Sequence, residues 1–195
     1  KISQIKHNSF RACLDFCKFH NKKVYISHNA DLPAQSGLGS SSTFTVGLLN
    51  SLFAAKKKLI SKRQLADNAI KIEHKKIKEN VGVQDQIAAA FGGFNYVEIK
   101  SNSNYTVRPV ISKINIKKIE ESCLLFFTQL QRNADPIEKN KIDLINKNKM
   151  NEPLSNIMNL TKHALNLINS KNFKIKEFGE LINEQWKIKK QLSNK

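Results

Sequence analysis

The sequence predicts an α+β fold in two domains, and three observations carry that expectation. An apolar run at residues 24–28 passes through a glycine- and serine-rich loop into a second apolar run that begins at Phe44. Residues 94–99 and 105–110 read as two strands joined by a polar turn, the pattern of a hairpin. From about Asp135 the apolar residues recur at helical spacing instead. A strand that hands over to a helix, then a hairpin, then helices is the order of an α+β chain.

Composition narrows the function. The 195 residues are 40% hydrophobic and 25% charged, which is enough for one substantial core or two small ones. The densest apolar patch, residues 124–127, is far too short to span a membrane. Charges spread through the first twenty residues leave no signal-peptide core. Three cysteines without zinc spacing favour a reducing, cytoplasmic setting. The net charge of +17 comes from lysines scattered among asparagines, with no arginine-rich arm and no aromatics spaced for stacking on bases. It is read as a compositional bias on solvated faces that also draws in anionic substrates, with no nucleic-acid or membrane partner.

Each element has a local reason. Ile5, Phe10, Cys13, Leu14, Phe16 and Cys17 form a helical stripe over residues 2–19, with Cys13 and Cys17 as small core residues. A strand follows at 24–28. The helix at 44–55 points Val46, Leu48, Leu49, Leu52 and Phe53 at the core. Ser61 is placed to cap a helix over residues 62–78, whose lysine-rich last turns suit the negative helix end. Asp85 stands at or near the start of a short alanine-rich helix closed by Gly92 and Gly93, where the plainest role for an aspartate is an N-cap. After the hairpin, residues 123–128 read as a buried strand. The helices beyond Asp135, broken near residues 151–153, carry two core stripes: Leu154, Ile157, Met158, Thr161, Leu165 and Ile168, then Phe178, Leu181, Ile182, Ile188 and Leu192. The histidines show no metal-binding spacing, and no internal repeat is evident.

The loop at residues 33–43 reads either as a plain turn and helix cap or as a place to hold an anion. Gly37 and Gly39 let a ligand approach the main chain, the following helix offers unpaired N–H groups, and Ser40, Ser41 and Ser42 add hydroxyls. No lysine stands before the hydroxyl as the Walker loop requires. The decamer PAQSGLGSSS resembles the P-x-x-x-G-L-G-S-S signature of the GHMP kinases, a family of small-molecule kinases. Residues 79–93 resemble that family's G-x-x-D-Q element, most closely the form found in kinases of heptose 7-phosphate, with Val83 in place of the usual tryptophan. Residues 128–135 resemble the T-G-x-x-R-x-A/S stretch that opens the second domain, with Gln129 where glycine is usual.

The resemblance implies a GHMP kinase fold. Residues 1–112 would be a partial ribosomal S5 domain 2-like N-terminal, ATP-binding domain lacking its first strands. Residues 113–195 would be the mostly helical start of a ferredoxin-like C-terminal domain lacking its final glycine-rich segment. The chain is expected to be truncated at both ends, with its activity in isolation and its oligomeric state left open, a homodimer included.

By the same resemblance ATP phosphates lie on Pro33, Ser36, Gly37, Leu38, Gly39, Ser40, Ser41 and Ser42. Magnesium takes Ser41 and Glu73, with Glu79 a nearby competitor. Asp85 accepts or orients the proton of the substrate hydroxyl, and Gln84 and Arg132 contact substrate, although Arg132 could equally cap a helix. The implied reaction is ATP-dependent phosphorylation of a sugar phosphate, D-glycero-D-manno-heptose 7-phosphate at C1 giving the 1,7-bisphosphate. A non-catalytic descendant and a basic nucleic-acid-binding module are the alternatives.

Overall fold

The structure, a computed structural model, describes residues 1–20, 22–31, 37–78, 82–100, 104–126, 128 and 151–192. These fall into two units, one within Lys1–Gly92 and one formed by Gly93–Thr128 with the helices beyond residue 150. The expectations for Pro33, Ser36, Glu79, Gln129 and Arg132 lie outside the described residues.

In the first unit a 3-10 turn (Ile2–Gln4) precedes helix α1 (Asn8–Phe16), where the sequence predicts one helix over 2–19. The break falls at His7, the N-cap, whose ring Nδ1 accepts from the Phe10 amide at 3.4 Å. Histidine is not among the favoured N-cap residues, so the sequence gives no warning of this start. Residues 24–28, expected as a strand, form no ladder, and Tyr25 is 94% exposed. A strand satisfies its backbone through a neighbour, and among the described residues none pairs with this one.

Helix α2 (Ser40–Ala55) begins at Ser40 rather than at the predicted Phe44, which places all three serines in its first turn. Helix α3 (Lys62–Lys71) is capped as predicted: Ser61 Oγ accepts from the Gln64 amide at 3.2 Å, and Gln64 Oε1 accepts from the Ser61 amide at 3.1 Å. The α-helix does not continue to residue 78. Ile72–Ile77 is π-helical and stops at Lys78, whose φ of 62° is left-handed. Helix α4 (Gln84–Phe91) follows and ends at Gly92.

Helix α3 packs on α2 and α4, and its fully buried Ala66 and Ala69 keep that side of the helix thin. Cys13, Leu49, Ile72 and Ile87 are also fully buried, and Leu14, Phe19, Val46, Leu48, Leu52 and Leu65 are nearly so, as expected for Cys13, Leu14, Val46, Leu48, Leu49 and Leu52. Burying a Leu or Ile side chain contributes about 1.5–3 kcal/mol, so these side chains carry much of the unit's hydrophobic stabilisation. Asp15 of α1 accepts from Lys76 of the π-helical segment and lies 3.4 Å from His20 Nε2. The Lys76 hydrogen bond holds the Asp15 carboxyl below the usual carboxylate range. The pair is half exposed and stabilises little.

In the second unit strands β1 (Asn95–Ile99) and β2 (Tyr105–Pro109) form the predicted hairpin, antiparallel with Val97 opposite Val107. Residues 123–126 are not the expected buried strand: Leu124 is 82% exposed, Leu125 and Phe126 nearly as much, and no described strand pairs with them. Apolar character without a partner strand does not make a ladder. Helices α5 (Lys113–Glu121) and α6 (Asn151–Asn169) supply Ile119 and Ile168 to a core completed by Val110 and Phe173, against which helix α7 (Ile175–Leu192) packs its partly buried Phe178. Of the predicted stripes, Ile168 is buried and Leu165 and Phe178 pack against it, whereas Leu154, Met158 and Ile182 are exposed. The buried Asn115 amide donates to the carbonyls of Ile168 at 2.7 Å and Ser170 at 3.0 Å, satisfying acceptors that the end of α6 leaves open. Among the described residues no helix is long and apolar enough to cross a membrane.

Candidate active site

Gly39 is the N-cap of α2, left-handed at φ 69°, and no side chain caps the helix behind it. The first intrahelical bond is donated by the Thr43 amide to the Gly39 carbonyl at 2.9 Å. Helix geometry therefore leaves the amides of Ser40, Ser41 and Ser42 without an intrahelical acceptor, at the positive end of a 16-residue helix with no acidic residue in its first turn. Gly37, also left-handed at φ 79°, precedes it. Residues 37–42 thus offer main-chain donors and hydroxyls in one short stretch, which suits a phosphate.

Asp85 meets this stretch from a different part of the chain. A β-carbon added to Gly39 would lie 3.2 Å from both Cγ and Oδ2 of Asp85, so the carboxylate rests directly on the N-cap of α2. Gly39 is needed twice over, for its backbone angle and for the absence of a side chain there. The N-cap role expected for Asp85 does not hold. Val83 is the N-cap of α4 and Asp85 lies in the first turn, exposed, where its charge suits the helix dipole without capping it.

Behind the loop lies a buried polar cluster. Glu73 and Gln86 are both 0% exposed, and Ser42 is nearly so. Ser42 Oγ donates to Glu73 Oε2 at 2.9 Å, and Gln86 Nε2 donates to the same oxygen. Among the described residues nothing donates to Glu73 Oε1 or Gln86 Oε1. Two buried acceptor oxygens with nothing donating to them are what a hard cation or its water shell would satisfy. Among the described residues no three His, Cys, Asp or Glu side chains gather into a metal cage. A cation here would take most of its ligands from phosphate and water, as magnesium ordinarily does.

Glu73 also acts on its surroundings. Burial, then Cys17, then the Glu73 charge push the Cys13 thiol up to about 12, and burial raises Cys17 as well. Neither forms a thiolate near neutral pH, whereas Cys123 is exposed. Thiol titration of the native protein at pH 8 should therefore find one fast-reacting group, Cys123, and all three in denaturant. A second fast thiol would mean that α1 is not packed as described.

The structure places Gly37, Leu38, Gly39 and Ser40 at the start of α2, with Leu38 half exposed. Ser41 is exposed and its carbonyl accepts from Thr45 Oγ1 at 3.1 Å; the serine that reaches Glu73 is Ser42. Gln84 is exposed on the first turn of α4 beside Asp85. The pairing of Ser42 with Glu73, and the part played by Gln86, have a signal in the sequence. Ser42, Thr45, Val46, Leu49 and Leu52 follow the helical period of the buried face of α2, so Ser42 points inward. Gln86 shares the buried face of α4 with Ile87 and Ala90.

The chain is similar in sequence and in fold to known proteins. The chain is 32% identical over 174 residues to the D-glycero-alpha-D-manno-heptose 7-phosphate kinase of Campylobacter jejuni, covering 84% of this chain and 48% of that one. A crystal structure of a D-glycero-D-manno-heptose 1-phosphate kinase from Bacteroides thetaiotaomicron matches with a TM-score of 0.75 at 27% identity, covering 94% of this chain and 54% of that one. The chain spans about half the length of these relatives. Residues 8–93 match the GHMP kinases N terminal domain and contain both the α2 loop and Asp85. These residues belong to the GHMP kinase family as its N-terminal domain.

Proposed function

We propose that the protein transfers the γ-phosphoryl group of ATP to a hydroxyl of a heptose phosphate, D-glycero-D-manno-heptose 7-phosphate at C1, giving the 1,7-bisphosphate. The observation that carries the reading is the Asp85 carboxylate resting on the Gly39 N-cap. It puts a proton acceptor beside the place where main-chain amides would hold the phosphates. The names of the two relatives differ in which phosphate the heptose already carries. The higher sequence identity favours the 7-phosphate, and the basic composition suits either anion.

In this mechanism the amides of residues 37–41 and the hydroxyls of Ser40 and Ser41 bind and orient the phosphates of ATP. Asp85 takes the proton of the sugar hydroxyl as its oxygen bonds the γ-phosphorus, and the bond to the bridging oxygen breaks with its electrons leaving on ADP. Glu73, with the serines of α2, would hold magnesium, which neutralises the charge that develops on the transferring group. The free thiols Cys13, Cys17 and Cys123 accord with a cytoplasmic setting.

The test is magnesium-dependent ATP consumption with D-glycero-D-manno-heptose 7-phosphate, with the product identified by phosphorus NMR. A new anomeric phosphate bears out both reaction and position. Turnover only with the 1-phosphate or another sugar would keep the kinase and discard the substrate. A protein that binds no nucleotide would overturn the reading.

A further inference from the structure

The buried cluster Ser42–Glu73–Gln86 does more than fill the core. We infer that Gln86 is a positioning residue which holds the Glu73 carboxylate in place for a cation carried by the bound nucleotide, an inference that rests on the function proposed above.

Three properties point this way. Gln86 and Ser42 both donate to one oxygen of Glu73, so the carboxylate is pinned from two helices while its other oxygen has no partner among the described residues. Leaving a buried acceptor unsatisfied costs roughly 1–3 kcal/mol, and more when it is charged. Replacing a whole buried polar cluster with well-packed apolar side chains is often neutral or stabilising, so core packing alone gives no reason for this arrangement. The orphaned oxygens of Glu73 and Gln86 are hard donors of the kind a magnesium shell accepts.

The cluster also ties together the parts of the site. Ser42 is in the first turn of α2, directly after the phosphate-holding amides, and Gln86 follows Asp85 in α4. Glu73 comes from the π-helical segment, a conformation that recurs at functional sites because it re-aims side chains along a helix. A shift of Glu73 would thus be felt on both sides of the loop.

The test is calorimetric binding of a non-hydrolysable ATP analogue, with and without magnesium, to the wild type, Gln86→Met and Gln86→Asn. Manganese bound alone and with the analogue is followed by electron paramagnetic resonance. Met keeps the length and removes the amide; Asn keeps the amide and withdraws it from Glu73. Both should bind the metal-free analogue within about twofold of the wild type and lose about tenfold or more of the magnesium-dependent gain. The manganese spectrum should show a looser site, and the melting temperature of Gln86→Met should fall only modestly, because Ser42 still donates to the Glu73 oxygen that loses the amide.

Equal losses with and without metal, alongside a large fall in melting temperature, would assign Gln86 a purely structural role and overturn the inference. So would an unchanged metal dependence in either folded variant. If Gln86→Met does not fold, Gln86→Asn decides alone. A wild type that binds no nucleotide overturns the functional reading itself, and this inference with it.

Discussion

Asp85→Asn should lower kcat by roughly 10²–10⁴, the range that general-base help supplies, while leaving the fold and ATP-analogue affinity nearly intact. The separation is expected because the structure gives Asp85 no capping duty. Val83 is the N-cap of α4, and Asp85 is exposed in the first turn. Neutralising a carboxylate there forfeits a dipole interaction of about 0.3–1 kcal/mol, which a melting curve would register only slightly. Asparagine has nearly the same shape, so its contact with Gly39 is retained. The size of the loss in kcat also separates two roles. An asparagine oxygen can still accept a hydrogen bond from the sugar hydroxyl and orient it, so a residue that only positions would lose about tenfold or less. A loss of several hundredfold or more identifies proton transfer. Unaltered turnover would remove Asp85 from the reaction altogether.

How far the sequence reveals this site depends on which features are local. The Ser61 cap is local, since a serine and a glutamine three residues on satisfy one another, and the sequence places it correctly. The β1–β2 hairpin is nearly so, because the short turn supplies each strand with its partner. Residues 24–28 and 123–126 have strand-like composition, yet pairing is not encoded in the run itself, and both lack a ladder in the described structure. The start of α2 is missed because serines read as loop, although they are also good first-turn residues once Gly39 turns the chain. The resemblance assigns the glycine loop, Glu73 and Asp85 to one site. It does not reveal that Asp85 touches Gly39, or that Glu73 is gripped by Ser42 and Gln86. Those are contacts between segments far apart in the chain, and no periodicity reports them.

The contact between Asp85 and Gly39 can be measured by substituting two glycines that differ in one respect. Gly37 and Gly39 are both left-handed, at φ 79° and 69°, so alanine at either position carries a backbone penalty of roughly 1–2 kcal/mol. Around Gly37 an added β-carbon meets no described residue within 4 Å, whereas at Gly39 it lies 3.2 Å from the Asp85 carboxyl group. Gly37→Ala should therefore show the backbone effect alone, as a lower melting temperature and a modest loss of ATP affinity. Gly39→Ala should show the same drop in melting temperature and, in addition, a fall in kcat of about tenfold or less, since a 3.2 Å contact displaces the Asp85 carboxyl by only a fraction of the roughly 1 Å misplacement that costs about 100-fold. The extra loss should vanish when both proteins also carry Asp85→Asn, because a base already removed cannot be displaced. If Gly37→Ala and Gly39→Ala lose kcat equally, the glycines serve the backbone only, and the placement of Asp85 against α2 does not govern the chemistry. If the excess appears and Asp85→Asn cancels it, the close approach of one carboxylate to one helix N-cap is what this segment of the family's fold provides for catalysis.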